Sequence, residues 1–424
     1  MRIAIIGAGF TGLSSAYQLI HQGHQVTVFE IDNKPGGLAL GFQDPSWEWS
    51  LEKHYDHWFT NDFHILNLAK DLHYEVIVQR PKTSVYLDKQ MFQFDSPKNV
   101  LLFPKLTLLE KLRMSSVVGG LRVNPFWKPL ERFNTTEFLE KLMGKRAYKM
   151  IWEPQMVNKF GTYADDISLA WFWARIKKRT PSLAYPQRGF LAFAEYLVKH
   201  IEQKGARFLF NTEILSLDQV KGKVSITSIS NSKKKAEQFD KVIVTLPGSL
   251  FAKISPTLPD GYKKRLMVLK GLGAINLVLR LKKQFLTDNT YWLSICEKNA
   301  PIMAIVEHTN FMDKKHYNNE HIVYLGNYLP REHPYFSYSA EKLLEAYEPL
   351  LKKVQPKFRE SLIALHMFTV PFAQPIIPRN YSKIIPPFET PFSNVFLANM
   401  QQVYPWDRGT NYAVELGEKV AKLI

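Results

Sequence analysis

Twelve residues at the start of the chain constrain its fold more than any other stretch. Ile3, Ala4, Ile5 and Ile6 form an apolar run short enough for a buried parallel strand. Gly7-Ala8-Gly9-Phe10-Thr11-Gly12 follows as a G-x-G-x-x-G turn. From Leu13 to Ile20 the pattern is helical, with Leu13, Ala16, Tyr17 and Ile20 on one face. A second apolar run, Gln25–Phe29, ends in Glu30, eighteen residues after Gly12. Strand, glycine turn, helix, strand and acid in this order have the spacing of a dinucleotide-binding unit. Gly7 permits the tight exit from the strand, Gly9 lets backbone approach a pyrophosphate, and Gly12 lets helix and strand pack closely. The helix start offers free N–H groups and partial positive charge to phosphates. Glu30 can accept hydrogen bonds from ribose hydroxyls, and its charge opposes a 2′-phosphate, which argues against NADP. The glycine spacing, with no small-residue cleavage site, argues against a signal peptide.

The chain has 424 residues, which predicts two domains, with 46% apolar and 22% charged residues as in a globular protein. No apolar run of about eighteen residues occurs, so no transmembrane helix is expected. Cys296 is the single cysteine, which excludes an intramolecular disulfide and fits a reducing cytoplasm. The net charge of +16 is scattered over clusters such as Lys177-Lys178-Arg179 and Lys233-Lys234-Lys235. With no dominant basic block and no nucleic-acid motif, a nucleic-acid partner is not expected. Such clusters suit solvated surface, or else anionic lipid at the inner face of a membrane, or a phosphorylated substrate. His54-x-x-His57 lacks the adjacent acid of a zinc-protease pattern, so no metal is expected. Nothing in the sequence sets an oligomeric state.

Past Glu30, Pro35-Gly36-Gly37-Leu38 lies at the same sheet edge as the first glycine turn and suits a second contact to a long dinucleotide. The segment around His54 and His57 is aromatic-rich and reads either as packed core or as a substrate face. Helices are predicted over 64–72, 191–204, 258–268, 340–353 and 413–423. Strands are predicted over 75–79, 84–87, 205–210, 223–229, 241–246, 274–281, 302–307, 322–328 and 394–399. Thr107 to Glu110 fits a capping box that opens a helix, with Leu108, Leu109, Leu112, Val117 and Leu121 broadly along one side. A helical, aromatic block continues to about Arg179, where Trp171-Phe172-Trp173 with Arg175 could line a substrate cavity.

The two glycine sites and Glu30 resemble those of the flavin-dependent amine oxidase superfamily, which includes protoporphyrinogen oxidases, phytoene-type desaturases and, more distantly, UDP-galactopyranose mutases. The resemblance implies an α/β fold: a Rossmann-type, three-layer ββα FAD-binding domain from 1–88, 185–255 and 385–424, with a discontinuous α+β substrate domain from 89–184 and 256–384. It implies FAD held by Gly7, Gly9, Gly12, Glu30, Gly36 and Gly37. Many members carry Arg where this chain has Leu38. It assigns Ile214 to the adenine, and Asn399, Gly409, Thr410 and Asn411 to the ribityl and flavin end. His54, His57 and Asn411 are the candidates near the flavin, and no residue stands out as a general base. Amine oxidases carry a lysine on the strand matching 275–279, and this chain has none there, which weighs against amine oxidation. The implied activity is hydride transfer from an apolar or ring small-molecule substrate, porphyrinogen-, isoprenoid- or amine-like, to flavin. The alternatives are a mutase acting on a nucleotide sugar, or a non-catalytic flavin-binding accessory protein. Related proteins often touch lipid with the helical block, so the expected location is cytoplasmic with peripheral membrane contact.

Overall fold

A computed structural model describes residues 1–424. Its centre is a five-stranded parallel sheet in the order Arg207–Leu209, Gln25–Phe29, Arg2–Ile6, Lys241–Val244, Val395–Leu397. Ile3 to Ile6 and Val242 to Val244 are buried. That is why they read as continuous apolar runs rather than alternating ones. Helices Phe10–His21, Phe190–Gln203 and Thr410–Ala421 supply Leu13, Ala16, Phe193, Leu197, Val414 and Val420 to the core on one face. A three-stranded antiparallel sheet, Glu213–Val220, Lys223–Ser230 and Lys233–Phe239, covers the other face. Ala4, Ile6, Phe29, Leu217, Ile226 and Val242 pack between the two sheets. This is the three-layer ββα arrangement.

The first and last helices touch at Gly417. A Cβ there would lie 2.5 Å from the Thr11 carbonyl oxygen and 2.9 Å from the Ser15 nitrogen. Both are backbone atoms and cannot yield. Ser14 Oγ donates to the Val414 carbonyl at 3.0 Å across the same contact.

A second sheet of seven strands runs in the order Leu362–Pro375, Gly271–Leu281, His321–Leu329, Ala304–Glu307, Thr290–Ile295, Lys82–Leu87, Gln90–Gln93. Helix Ala340–Val354 packs Leu343, Leu344, Tyr347 and Leu351 into the core that it shares with Ile275, Leu277 and Leu325. Lys82–Leu87 pairs with Thr290–Ile295, so the break placed at residue 88 falls inside a hairpin of this sheet. The strands over 90–93, 183–186, 213–220, 233–239, 290–295 and 362–375 were not foreseen. Two helix starts also differ from expectation, Asp260 rather than 258 and Thr410 rather than 413. An interior ion cluster ties the two parts of the chain together. Arg280 donates to both oxygens of Glu320, at 2.6 and 2.8 Å, and to Asp44.

Residues 97–178 form the helical block. The capping box at Thr107 and Glu110 is present, and helix Leu108–Val123 follows it. This helix buries Met114 and Leu121, while Leu108, Leu109 and Leu112 stay exposed, Leu108 at 68%. The stripe read from sequence is therefore split. The helix packs on its neighbours by the Met114 side only, which leaves the leucines of its first two turns in solvent.

Glycines at two helix interiors should respond in opposite ways. Gly417→Ala should destabilise the fold by about 1–3 kcal/mol through overpacking. Gly119→Ala, exposed with nothing within 4 Å of its added Cβ, should stabilise by about 0.5–1 kcal/mol. Urea unfolding of both variants measures the contrast.

Candidate functional site

The first strand leads into the glycine turn at its carboxyl end, where ligands of open α/β sheets bind. Gly12 packs against the turn so closely that a Cβ would lie 2.0 Å from the Gly7 carbonyl oxygen. Gly9 and Gly36 form a parallel bridge, and Gly36 N–H donates to the Ala8 carbonyl at 3.0 Å. Gly36 and Gly37 have φ of 134° and 59°, which side chains rarely adopt. The two glycine loops therefore lie against each other at one sheet edge. Gly9 caps the first helix with no side-chain hydrogen bond and no acid in the first turn, which leaves its N–H groups for a ligand. Leu38 is half-buried in the single turn Gly37–Ala39.

Glu30 is buried beside this turn. Its Oε2 accepts from Ala8 N–H at 2.6 Å and its Oε1 from Asp32 N–H at 3.0 Å. Burial raises the Glu30 pKa, and these backbone donors oppose the rise. Thr212 N–H donates to the Glu30 carbonyl at 2.8 Å, which brings buried Ile214 to the same end of the sheet.

The C-terminal residues are held largely by protein partners. Asn399 donates to the Leu246 carbonyl and accepts from Gln401 N–H, at 2.8 and 2.9 Å. Thr410 Oγ1 accepts from Trp58 Nε1 at 2.7 Å, and Asn411 Oδ1 accepts from Ile65 N–H at 3.2 Å. These two side chains lock the last helix to the segment that follows His57. Gly409 has extended backbone with φ of 170°, and the nearest atom to an added Cβ is 3.9 Å away. Nothing within the protein demands glycine there. It caps the last helix without a side-chain hydrogen bond, so a second uncapped helix start faces the region.

His54 and His57 lie between this helix start and the second sheet. Asn276 Nδ2 donates to His54 Nδ1 at 2.6 Å, and His57 Nδ1 lies 3.0 Å from the Tyr291 hydroxyl. Burial lowers the pKa of His54 to about 4 and of His57 to about 3, so both rings are neutral at pH 7. Burial pushes the Asp56 carboxyl up to about 7, against the pull of Arg408. Asn276 occupies the strand on which a lysine was sought.

A charged group completes the recess. Asp407 accepts from Trp171 Nε1 at 3.1 Å, Arg175 at 3.0 Å and Arg408 N–H at 3.1 Å. Burial alone would raise its pKa, but Lys159, Arg175 and Arg408 outweigh it and hold the carboxyl at about 2. Lys159, 9% exposed, lies 4.8 Å from the Tyr328 ring centre and 5.5 Å from that of Trp171. Arg408 donates to the Tyr328 hydroxyl. Arg175 and Trp171 had been singled out in sequence, but Lys159, Asp407, Arg408, Asp56 and Tyr328 had not. The Asp-Arg pair just before Gly409 was the only local signal.

The family model described as flavin containing amine oxidoreductase matches residues 10–424. The chain is 23% identical over 289 residues to coproporphyrinogen III oxidase of Staphylococcus aureus, a match spanning 59% of this chain and 61% of that protein's length. Its fold is similar to an oxidoreductase from Methanosarcina mazei, with a TM-score of 0.76 at 17% identity over the whole of both chains. It is also similar to reduced UDP-galactopyranose mutase, with a TM-score of 0.76 at 14% identity, covering all of this chain and 96% of that one.

Asp407 is the counter-charge of the recess. Asp407→Asn should cost about 1–2 kcal/mol, because Arg175 loses a charge-assisted hydrogen bond and Lys159 a nearby counter-charge at a pair that is only partly buried. Adding Lys159→Met should recover part of the loss. Denaturant unfolding of the single and double variants tests this, and strict additivity would show that the two residues do not interact.

Proposed function

Because the chain belongs to the flavin containing amine oxidoreductase family, we propose that it is an FAD-dependent oxidoreductase taking a hydride from an apolar or ring substrate. The observation that carries this reading is that two helices packed against each other, Phe10–His21 and Thr410–Ala421, each begin at a glycine whose first-turn N–H groups no side chain caps. The glycine loops suit the group, because their backbones meet with no side chain between them. Gly7, Gly9, Gly12, Gly36 and Gly37, with Leu38 alongside, would hold the diphosphate, Glu30 the ribose and Ile214 the adenine. Asn399, Gly409, Thr410 and Asn411 would border the flavin, the last two through backbone N–H groups, since their side chains are engaged. Bound FAD supplies the hydride acceptor.

The remaining work falls to the protein. The Tyr55 and Trp292 rings, packed edge to face, and the Tyr328 ring beside Lys159 offer apolar surface to a substrate. His54 and His57, neutral and tethered, orient a substrate without adding charge. Asp56 can take the proton that leaves with the hydride, since its pKa of about 7 lets it cycle near neutrality. Asn276 in place of a strand lysine weighs against amine oxidation. The second reading is isomerisation of a nucleotide sugar on reduced flavin, favoured by the cations of the recess.

Purified protein should be yellow and release noncovalent FAD on acid precipitation. Colourless protein that also fails to take up FAD overturns the reading. Glu30→Ala should weaken FAD by about 1.5–3 kcal/mol, read by equilibrium titration. Anaerobic coproporphyrinogen III tests net oxidation, and UDP-galactopyranose with dithionite-reduced protein tests isomerisation. With the substrate that turns over, flavin reduction should accelerate as pH rises through about 7, because Asp56 must be ionised to accept a proton. Asp56→Asn should abolish that step in the profile.

The helical block also supports peripheral contact with an anionic lipid surface. Leu102, Leu108, Leu109, Val123 and Phe126 are exposed there among Lys111, Arg113 and Arg122. No helix is long and apolar enough to cross a membrane. Sedimentation with phosphatidylglycerol vesicles should retain the protein, and Leu108→Glu with Leu109→Glu should release it. Equal retention of the double variant would rule out this surface.

A further inference from the structure

The recess brings together more basic side chains than carboxylates, Lys159, Arg175 and Arg408 against Asp407 and Asp56. Asp407 is fully engaged by Arg175, Trp171 and the Arg408 backbone. Lys159 is buried, yet it forms no ion pair, and only aromatic faces lie over its ammonium. Arg408 also has no carboxylate partner. One nitrogen donates to the Tyr328 hydroxyl, and its Nε is buried with no partner at all. The other interior guanidinium behaves differently, since Arg280 is matched by Glu320 and Asp44. Burial, with Arg175 and Arg408 close by, pushes the Lys159 ammonium well below its ordinary pKa against the pull of Asp407, and ring faces repay little of that cost, so an arriving anion is what would restore its charge. Asp56 does not close the gap, because burial keeps its carboxyl largely protonated below about pH 7.

We propose that Lys159 and Arg408 form a subsite for an anionic group, a carboxylate or a phosphate, carried by the substrate. The two side chains come from different elements, the helix Glu153–Phe160 and the loop before the last helix, and both lie against Tyr328, Lys159 Nζ 4.8 Å and Arg408 Cζ 5.1 Å from its ring centre. Arg408 offers planar, directed donors, while Lys159 offers rotatable N–H donors whose charge an anion would restore, a pairing suited to an oxyanion with several acceptor oxygens. Tyr328 sits between them, so its hydroxyl is a further polar contact at the same place. The glycine loops assigned to the FAD diphosphate are built from other elements, so that group does not supply the missing anion. The substrate thus has an apolar portion against Tyr55 and Trp292 and an acidic portion at Lys159. The inference rests on the flavin reading for the reaction that the bound molecule undergoes, but not for its binding.

The test titrates the FAD-loaded protein with inorganic pyrophosphate and with coproporphyrin III, at fixed ionic strength, by calorimetry and by the flavin absorbance difference spectrum. The tetramethyl ester of coproporphyrin III is the uncharged control. At least one anion should bind, and Lys159→Gln should weaken it by about tenfold or more, the worth of a charge-assisted hydrogen bond. Lys159→Arg should retain most of the affinity. Binding of pyrophosphate identifies a phosphate site, and binding of the porphyrin but not its ester identifies a carboxylate site. Arg408→Gln is the second variant, used if Lys159→Gln does not fold. Failure of both anions to bind, or equal binding by the folded glutamine variant, overturns the inference. Yellow protein indifferent to both anions sinks the subsite and spares the flavin reading. Protein that binds an anion but never FAD does the reverse.

Discussion

The parallel backbone ladder on either side of Ile3–Ile6 is the constraint from which the rest follows. Ile3 pairs with Val26 on one side and Lys241 on the other, and Val395–Leu397 pairs beyond. Parallel neighbours cannot be joined by a tight turn, so each pairing requires a long crossover. The crossovers carry everything else, namely the helical block, the antiparallel sheet and the seven-stranded sheet. Because all five strands run the same way, every crossover leaves from the same edge. The glycine turn, Glu30 and the loop before the last helix thus converge without being near in sequence.

The recess shows how charge is managed once that convergence is fixed. Asp407 is bound by groups from the helix Leu169–Lys178 and by its own neighbour, so it serves the fold. Arg408, one residue on, is turned towards Tyr328 and has little protein to bind. Adjacent residues of opposite sign therefore differ, Asp407 satisfied by the protein and Arg408 only partly so. His54 and His57 are tethered and neutral. The basic side chains are Lys159, Arg175 and Arg408, which sequence reasoning had mostly passed over.

Local features were legible and long-range ones were not. The N-terminal turn was readable because its strand, glycines, helix and acid lie within thirty residues. The capping box at Thr107 was readable for the same reason. Lys159, Tyr328 and Arg408 meet only through three distant segments, and no spacing rule links them. Lys233–Phe239 was hidden by its charge. It is an edge strand, where lysines are tolerated and discourage further pairing. Its hairpin turn, Asn231-Ser232 with φ of 47° and 62°, lacks the glycine that signals such turns. Leu362–Pro375 was hidden by Pro371. This strand too is an edge, and its pairing with Gly271–Leu281 shifts register opposite that proline. The leucines at the start of helix Leu108–Val123 misled in the other direction, since periodicity shows an apolar face but not what covers it.

The contact between the first and last helices at Gly417 bears on how the protein is made. A chain emerging from the ribosome presents Leu13, Ala16 and Leu19 early, yet Val414 and Val420 appear only after some four hundred residues. The sheet also waits for Val395–Leu397 as its edge strand. The nucleotide-binding half therefore closes only after some four hundred residues separate its two parts in the chain. Helix Phe190–Gln203 covers part of the first helix through Phe190 and Phe193, and the rest of its apolar face waits for Val414 and Val420.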